Sequence, residues 1–332
     1  MENKQPCCEK FKTTIGGQAL IEGIMMRGPE KDAIVVRKQD GTLDVDVRPR
    51  KIPSKKSVLN WPLIRGVRTF FDSQVVGVEA LMHSADLSPE ESQEEASKFD
   101  QWLEKKLGNE KFQQYVIGFA VFLGLAMSIG LFFLLPMVIG GFFDQWIDSM
   151  LLLNLVEGLI RIIIFMAYMI LVSRMGEMKR VFAYHGAEHK TIRCYEAGLE
   201  LTVENVRQMT RLHPRCGTSF LLVVMVISIL VFSIASSALL AVIPALEAMH
   251  GSFLYRLIMI VFKLLLLPVV VAITYEINRW AGRHDNWFTR ILTAPGMWMQ
   301  NFTTNEPDDS MIEVGIEAVK AVLPEREGED AW

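Results

Sequence analysis

Two imidazoles and a carboxylate stand at His185, Glu188 and His189, spaced i, i+3 and i+4. On a helix that spacing puts all three on one face. It is the H-x-x-E-H order, in which the histidines bind Zn²⁺ and the glutamate serves as general base. Two further ligand types follow in His213-Pro214-Arg215-Cys216-Gly217-Thr218. His213 and Cys216 must fold back from this loop to complete a coordination sphere. Imidazole, thiolate and carboxylate together suit Zn²⁺, and with less thiolate they also suit Fe²⁺ or Mn²⁺. The expected ligands are therefore His185, His189 and His213 with Cys216 as the fourth group, and Glu188 is the expected base. The chain holds six histidines, and three lie between 185 and 213. The competing reading is a hydrogen-bonded cluster of His and Glu that stabilises a helical loop. Glu196 lies about 10 Å along the axis from His189, at about 1.5 Å per residue, too far to share its ion. If an ion binds, four protein groups make the site structural, whereas one position left for water makes it catalytic. Both roles stay open at this point.

The elements that must hold these residues are apolar. The 332-residue chain is 51% hydrophobic with a mean hydropathy of +0.26. Gln113 to Phe143 and Cys216 to Leu246 contain no charged residue, and each exceeds the roughly 20 residues that cross a bilayer as a helix. Leu151 to Val172 is a third candidate, interrupted by Glu157 and Arg161. Phe253 to Tyr275 is a fourth, interrupted by Arg256 and Lys263. This predicts an α-helical multi-pass membrane protein of about four spans over 111–277, with the site on a cytosolic loop, 174–217. No secretory signal peptide is read in the polar first 60 residues.

Basic residues set the expected orientation. Asp144 to Met150 and Pro244 to Phe253 carry no Lys or Arg, whereas residues 1–111 carry eighteen, 174–215 eight and 277–332 five. The positive-inside rule puts both termini and the central loop in the cytosol. Cys7, Cys8, Cys194 and Cys216 then face a reducing compartment, where structural disulfides are not expected. Of the two cysteines flanking the histidines, Cys216 is better placed. Glu157 and Arg161, spaced i, i+4, predict a mutually neutralising pair near the outer end of the second span. Lys263 is expected to reach an interface.

Residues 1–12 read as a disordered tail and 13–56 as a small cytosolic β-rich segment. Its strand-like runs, Ala33 to Val36 and Leu43 to Val47, flank the turn signal Gln39-Asp40-Gly41. The run Gly16 to Gly23 is glycine-rich but lacks the P-loop Lys-Ser/Thr, so tight turns and close packing are expected there. Residues 57–110 read as an amphipathic helix over Val58 to Ser84, on the inner leaflet or against the bundle, and then a solvated helix or linker over Pro89 to Gly108. Glu177 to Ala197 reads as a helix continuing from the second span and stopped by Gly198. Thr202 is the expected N-cap of a short helix after it. Residues 278–332 read as an interfacial aromatic segment with Trp280, Trp287 and Trp298, then an acidic cytosolic tail with one amphipathic helix around Ile312 to Val322.

The chain resembles the YqhQ-like bacterial membrane family of unknown function, DUF 1385. The resemblance runs from Gly16 to about Val322. It is carried by Gly16-Gly17-Gln18-Ala19-Leu20-Ile21-Glu22-Gly23 with Met25-Met26-Arg27-Gly28-Pro29, by Pro62-Leu63-Ile64-Arg65-Gly66, and by Tyr184-His185-Gly186-Ala187-Glu188-His189-Lys190. Tyr195-Glu196, Leu201-Thr202-Val203-Glu204-Asn205 and His213-Pro214-Arg215-Cys216-Gly217-Thr218-Ser219 complete it. The resemblance implies a metal-dependent enzyme without an established substrate. The functional expectation is a metal-dependent, hydrolase-like membrane enzyme acting on a small molecule, lipid or peptide. Its partner is the lipid bilayer, and no nucleic acid is expected. The rival is a non-catalytic membrane scaffold or adaptor whose cluster is structural, and a transporter is third. A transport pathway would want more polar groups at mid-depth than Ser128, Ser228 and Ser233 supply.

Overall fold

Two strands that are almost uninterrupted apolar runs, β2 (Gly23–Arg27) and β3 (Lys31–Arg37), form the centre of a four-stranded antiparallel meander. Their flanking strands are β1 (Gly16–Leu20) and β4 (Leu43–Pro49). The apolar runs follow from burial on both faces. With Ile24 opposite Val35 and Met26 opposite Ala33, one face joins a core with Tyr184, Ala187, Val314 and Val319. The other face, with Leu20, Met25, Ile34 and Val36, packs on Ala80 of helix α1 (Ile64–Leu87). The expected hairpin is present, and Gly41 turns it with φ +82°. The glycine-rich run is strand β1 and its turn. A Cβ on Gly17 would lie 2.5 Å from the Met25 carbonyl oxygen, so glycine is there for close backbone packing.

The computed structural model describes residues 11–50, 52–54, 57–88, 109–143, 146–147, 149–249, 251–326 and 328–331. Residues 1–10 of the expected tail, with Cys7 and Cys8, and the expected helix or linker at 89–108 lie outside them. The chain divides into two compact units: Met1–Ser88 with Ala167–Ser228 and Leu266–Trp332, and Pro89–Met166 with Ile229–Leu265. Four helical stretches are long and apolar enough to cross a membrane: Gly118–Gly140, Leu151–Val172, Gly217–Val242 and Phe253–Arg283. They mark the chain as a helical membrane protein with a small N-terminal sheet.

The first of these stretches runs through helix α2 (Asn109–Ile129), a π-helical turn at Gly130–Leu134, and α3 (Leu135–Gly140). The second is α4 (Met150–Val172). Helix α5 (Gly176–Glu196) does not continue from it as expected. A turn at 173–175 separates the two, and Met175 is extended. Gly198, at φ +63°, follows α5, and Thr202 caps α6 (Val203–Arg207) by accepting from the Asn205 N–H. Helix α7 (Gly217–Val242) starts where Pro214 and Gly217 break the chain. The fourth stretch breaks at Leu266, where Pro268 cannot continue the hydrogen-bond ladder, giving α8 (Phe253–Leu265) and α9 (Leu267–Arg283).

In the first unit, α10 (Trp287–Thr303) begins with a capping box between Asn286 and Thr289. Helix α11 (Asp309–Val322) buries Met311, Ile312, Val314, Gly315, Ile316, Ala318, Val319 and Val322. The short amphipathic helix expected in the acidic tail is thus a core element beside the sheet. In the second unit, Glu157 attracts Arg161 and also has a partner the sequence did not suggest. The Lys263 ammonium donates to Glu157 Oε2 at 2.6 Å in a buried pair. Arg161 donates from Nε to the Phe132 carbonyl at 2.8 Å, within the π turn, and lies over the Phe133 and Phe232 rings. A π turn disturbs the regular ladder and frees a carbonyl for such a donor.

Candidate metal centre

Helix α5 is polar in sequence yet buried along most of its length. It lies between β1 and α11, and the segment after α10 crosses it closely. A Cβ on Gly186 would collide with the Asn305 carbonyl oxygen, so glycine permits that crossing. The crossing brings the Thr303 carbonyl to His185. His185 Nδ1 bonds to it at 2.7 Å. Since a carbonyl only accepts, Nδ1 carries a proton, so in the neutral ring it is Nε2 that presents the lone pair. One turn on, His189 Nδ1 likewise donates to the Arg211 carbonyl at 2.6 Å. This is how proteins fix the tautomer of metal-binding imidazoles.

The two Nε2 lone pairs meet the thiol of Cys216. His185 Nε2 lies 3.2 Å from Cys216 Sγ. His185, His189 and Cys216 each offer a ligand atom, all within 4.8 Å of one another. His189 Nε2 is buried and has no hydrogen-bond partner. The Cys216 sulfur accepts from the Thr218 N–H at 3.4 Å, at the start of α7. Glu188 stands beside them. Its Oε1 accepts from the Gly17 N–H at 3.0 Å, and its Oε2 is buried without a partner. Three convergent soft and borderline donors with two orphaned buried atoms are a donor set that fits Zn²⁺.

His213 takes a different role from the other three expected ligands. Its ring centroid lies 5.6 Å from that of His189, but its Nε2 is engaged with Glu196 Oε2 at 3.3 Å, and it falls outside the convergent group. Glu196 also receives Arg215 and the Thr13 N–H, at 2.9 Å for the latter. The His213 backbone is clamped by Gln300, which accepts from its N–H and donates to its carbonyl, both at 2.7 Å. Glu196, set aside as a ligand in the sequence, is thus the anchor of the loop that delivers Cys216. Cys194 stays apart, donating to the Glu200 carbonyl, with burial pushing its thiol up to about 11.

The electrostatics follow from this packing. Burial works against a charged His185, but the Cys216 sulfur beside it outweighs burial and raises the ring to about 9. Burial also opposes a Cys216 thiolate, and His189 with His185 overcomes it, holding the thiol well below its usual range. Burial pushes the Glu188 carboxyl up. Burial, with His189 and Arg215 repelling a further cation, lowers His213 to about 4 despite Glu196. Glu196 resists its own burial and lies below its usual range through His213 and Arg215.

A cavity of about 350 Å³ opens onto Glu188, His189 and Cys216. The groups that set the site up carry little sequence signal. The Thr303 and Arg211 carbonyls and the Gly17 N–H are backbone atoms, which every residue has. Gln300 does leave a trace, as a fully buried amide beside Met299 on a largely apolar helix.

Comparison with known proteins agrees with the motifs. Residues 61–325 match the family model DUF1385, protein of unknown function. The chain is 31% identical over 325 residues to the uncharacterized protein YqhQ of Bacillus subtilis, covering 95% of this chain and 93% of that protein. No solved structure matches.

Proposed function

The chain belongs to the DUF1385 family of proteins of unknown function, and from its own geometry we propose that it is a metal-dependent membrane enzyme of hydrolase type. The observation that carries the reading is the pair of imidazoles, fixed at Nδ1 by backbone carbonyls, whose buried Nε2 atoms converge with Cys216 Sγ. His185, His189 and Cys216 would hold the ion, Zn²⁺ before Fe²⁺ or Mn²⁺, and His213 would steady the loop. When bound, such an ion acts as a Lewis acid and lowers the pKa of its water to about 7. Glu188 has one oxygen fixed by Gly17 and one without a partner, so it can accept a proton at Oε2 without moving. Its burial raises its basicity toward the range a general base needs.

The test is Glu188→Gln in a strain lacking the native gene. For an enzyme, the variant keeps metal, fold and membrane insertion but fails to complement. Complementation with metal retained would favour a scaffold holding a structural ion. Loss of metal by the same variant would make Glu188 a ligand.

A second reading has its own observation. His185 Nε2 and Cys216 Sγ, 3.2 Å apart, form a thiolate–imidazolium pair of the kind that activates a cysteine nucleophile. Chelation separates the two. A metal enzyme loses activity with chelator and regains it with Zn²⁺, and a cysteine nucleophile is indifferent to both.

We also infer that both termini and the α5 segment lie on the cytosolic face of the cytoplasmic membrane. The sheet, α5 and α11 share one core, which favours a common side, and the two intervening loops lack basic residues. Single cysteines placed at Ser149 and Glu200 should label from opposite sides of the membrane. Labelling from one side would remove the second span.

A further inference from the structure

The cavity in front of Glu188, His189 and Cys216 has a second wall of a different chemistry. Arg27, on β2, and Arg50, after β4, line it together with the hydroxyl-bearing Thr69 and Ser73 of α1. The two guanidinium groups share one carboxylate, Asp32, at 3.1 Å from Arg27 Nε and 3.5 Å from Arg50 Nε. Arg27 reaches Asp72 at 2.7 Å and Ser73 Oγ at 3.0 Å. Arg50 also donates to the Gly28 carbonyl at 2.5 Å.

Arg68 stands close enough to repel Arg50, and its own Nε is buried without a partner. Burial and then Arg27 push Arg50 below its ordinary value. Three guanidiniums therefore crowd around two carboxylates, Asp32 and Asp72. Among the described residues that line the cavity, the one acid is Glu188. Around this wall the guanidiniums therefore outnumber the carboxylates.

Guanidinium forks beside hydroxyl groups match the tetrahedral oxygens of a phosphate better than they match a neutral group. The cavity, at about 350 Å³, lies within the size range of small-molecule sites, about 300–1,000 Å³. Arg27 belongs to the run Met25-Met26-Arg27-Gly28-Pro29, to which the metal centre assigns no task. Gly217, the first residue of the third span, also lines the cavity, so a lipid headgroup or a soluble ester can supply the same chemistry.

We propose that this cavity binds a phosphate-bearing ligand, its phosphate held by Arg27 and Arg50 with the hydroxyls of Thr69 and Ser73, opposite the His/Cys group. The proposal names the substrate class for the enzyme reading above and rests on it for the word substrate. Binding itself needs neither metal nor turnover.

The experiment measures the thermal stability of the full chain in detergent against inorganic phosphate and glycerol 3-phosphate. In parallel it compares nanodiscs of phosphatidylcholine alone with nanodiscs containing one-fifth phosphatidic acid. Arg50→Gln removes one fork. Thr69→Glu leaves every arginine contact in place and puts a tethered carboxylate in the phosphate's position. A soluble ligand class predicts saturable stabilisation by phosphate and glycerol 3-phosphate, weakened at least tenfold in both variants. A lipid class predicts stabilisation by phosphatidic acid nanodiscs only, lost in the same variants. No stabilisation by any probe, or equal stabilisation of wild type and both variants, overturns the proposal. The metal content of the wild type keeps the two readings apart. Phosphate binding by a wild type that carries no metal and takes up none sinks the metal enzyme and spares the anion site. Bound metal without phosphate binding does the reverse.

Discussion

Each of the two compact units buries charge, and they finish the task differently. In the second unit, Lys263 and Glu157 neutralise each other at 2.6 Å, and Arg161 donates to the Phe132 carbonyl and lies over two aromatic rings. Among its described residues, Ser236 holds the only buried side-chain polar atom left over. In the first unit, the unpartnered buried atoms include His189 Nε2 and Glu188 Oε2, side by side on one helix face and next to an open cavity. Buried polar groups are normally satisfied, and an unsatisfied cluster with shifted pKa values marks a functional site. The same residue types thus make a closed structural network in one place and an open donor set in the other. What distinguishes them is which atoms remain without partners.

The comparison breaks most visibly at the closed network. Lys263→Met removes the ammonium that donates to Glu157 in a buried pair, and should cost about 3–5 kcal/mol, the usual cost of halving such a pair. Glu157→Leu combined with Lys263→Met should recover most of that loss, read as the melting temperature in detergent. A double variant as unstable as the single one would show that Glu157 has a task beyond neutralising Lys263.

The next effect is a pH dependence confined to the first unit. His213 is pushed from its ordinary 6.5 to about 4 in the folded protein. Between those values the unfolded chain binds a proton that the folded protein refuses. Stability is therefore full above pH 6.5 and declines as pH falls toward 4, by about 3 kcal/mol in all. Melting temperatures of the metal-free protein across this window should show the slope, and His213→Gln should flatten it. An unchanged slope in the variant would assign it to other groups.

A smaller loss is expected from Gln300→Leu. The His213 N–H and carbonyl then stay buried without their clamp, at a cost of about 2 kcal/mol. Since the clamp steadies the loop that carries Cys216, metal affinity should fall as well. A variant that is destabilised but binds metal normally would detach the clamp from the site.

Much of this arrangement was legible in the sequence because it rests on period and spacing. The i, i+3, i+4 positions of His185, Glu188 and His189 fix a common helix face. The four spans follow from long uncharged runs, and the β3–β4 hairpin from Asp40-Gly41. Strands β1 and β2 were hidden because Gly16 to Gly23 carries no alternation, and their pairing depends on contacts with α5 and α11. The partner of Glu157 was hidden for a similar reason. Arg161 is its neighbour along the helix, but Lys263 reaches it across 106 residues of chain. The contact between His213 Nε2 and Glu196 was hidden because 17 residues of chain separate them.

If the open donor set of α5 and Cys216 holds a divalent ion, elemental analysis of the detergent-purified protein will find it, wild type beside His189→Ala, with the fold of each checked by circular dichroism. The wild type should carry near-stoichiometric Zn²⁺, Fe²⁺ or Mn²⁺, and the folded variant should lose most of it. A wild type that carries no metal, takes up none on addition, and melts at the same temperature with and without chelator would contradict the metal centre.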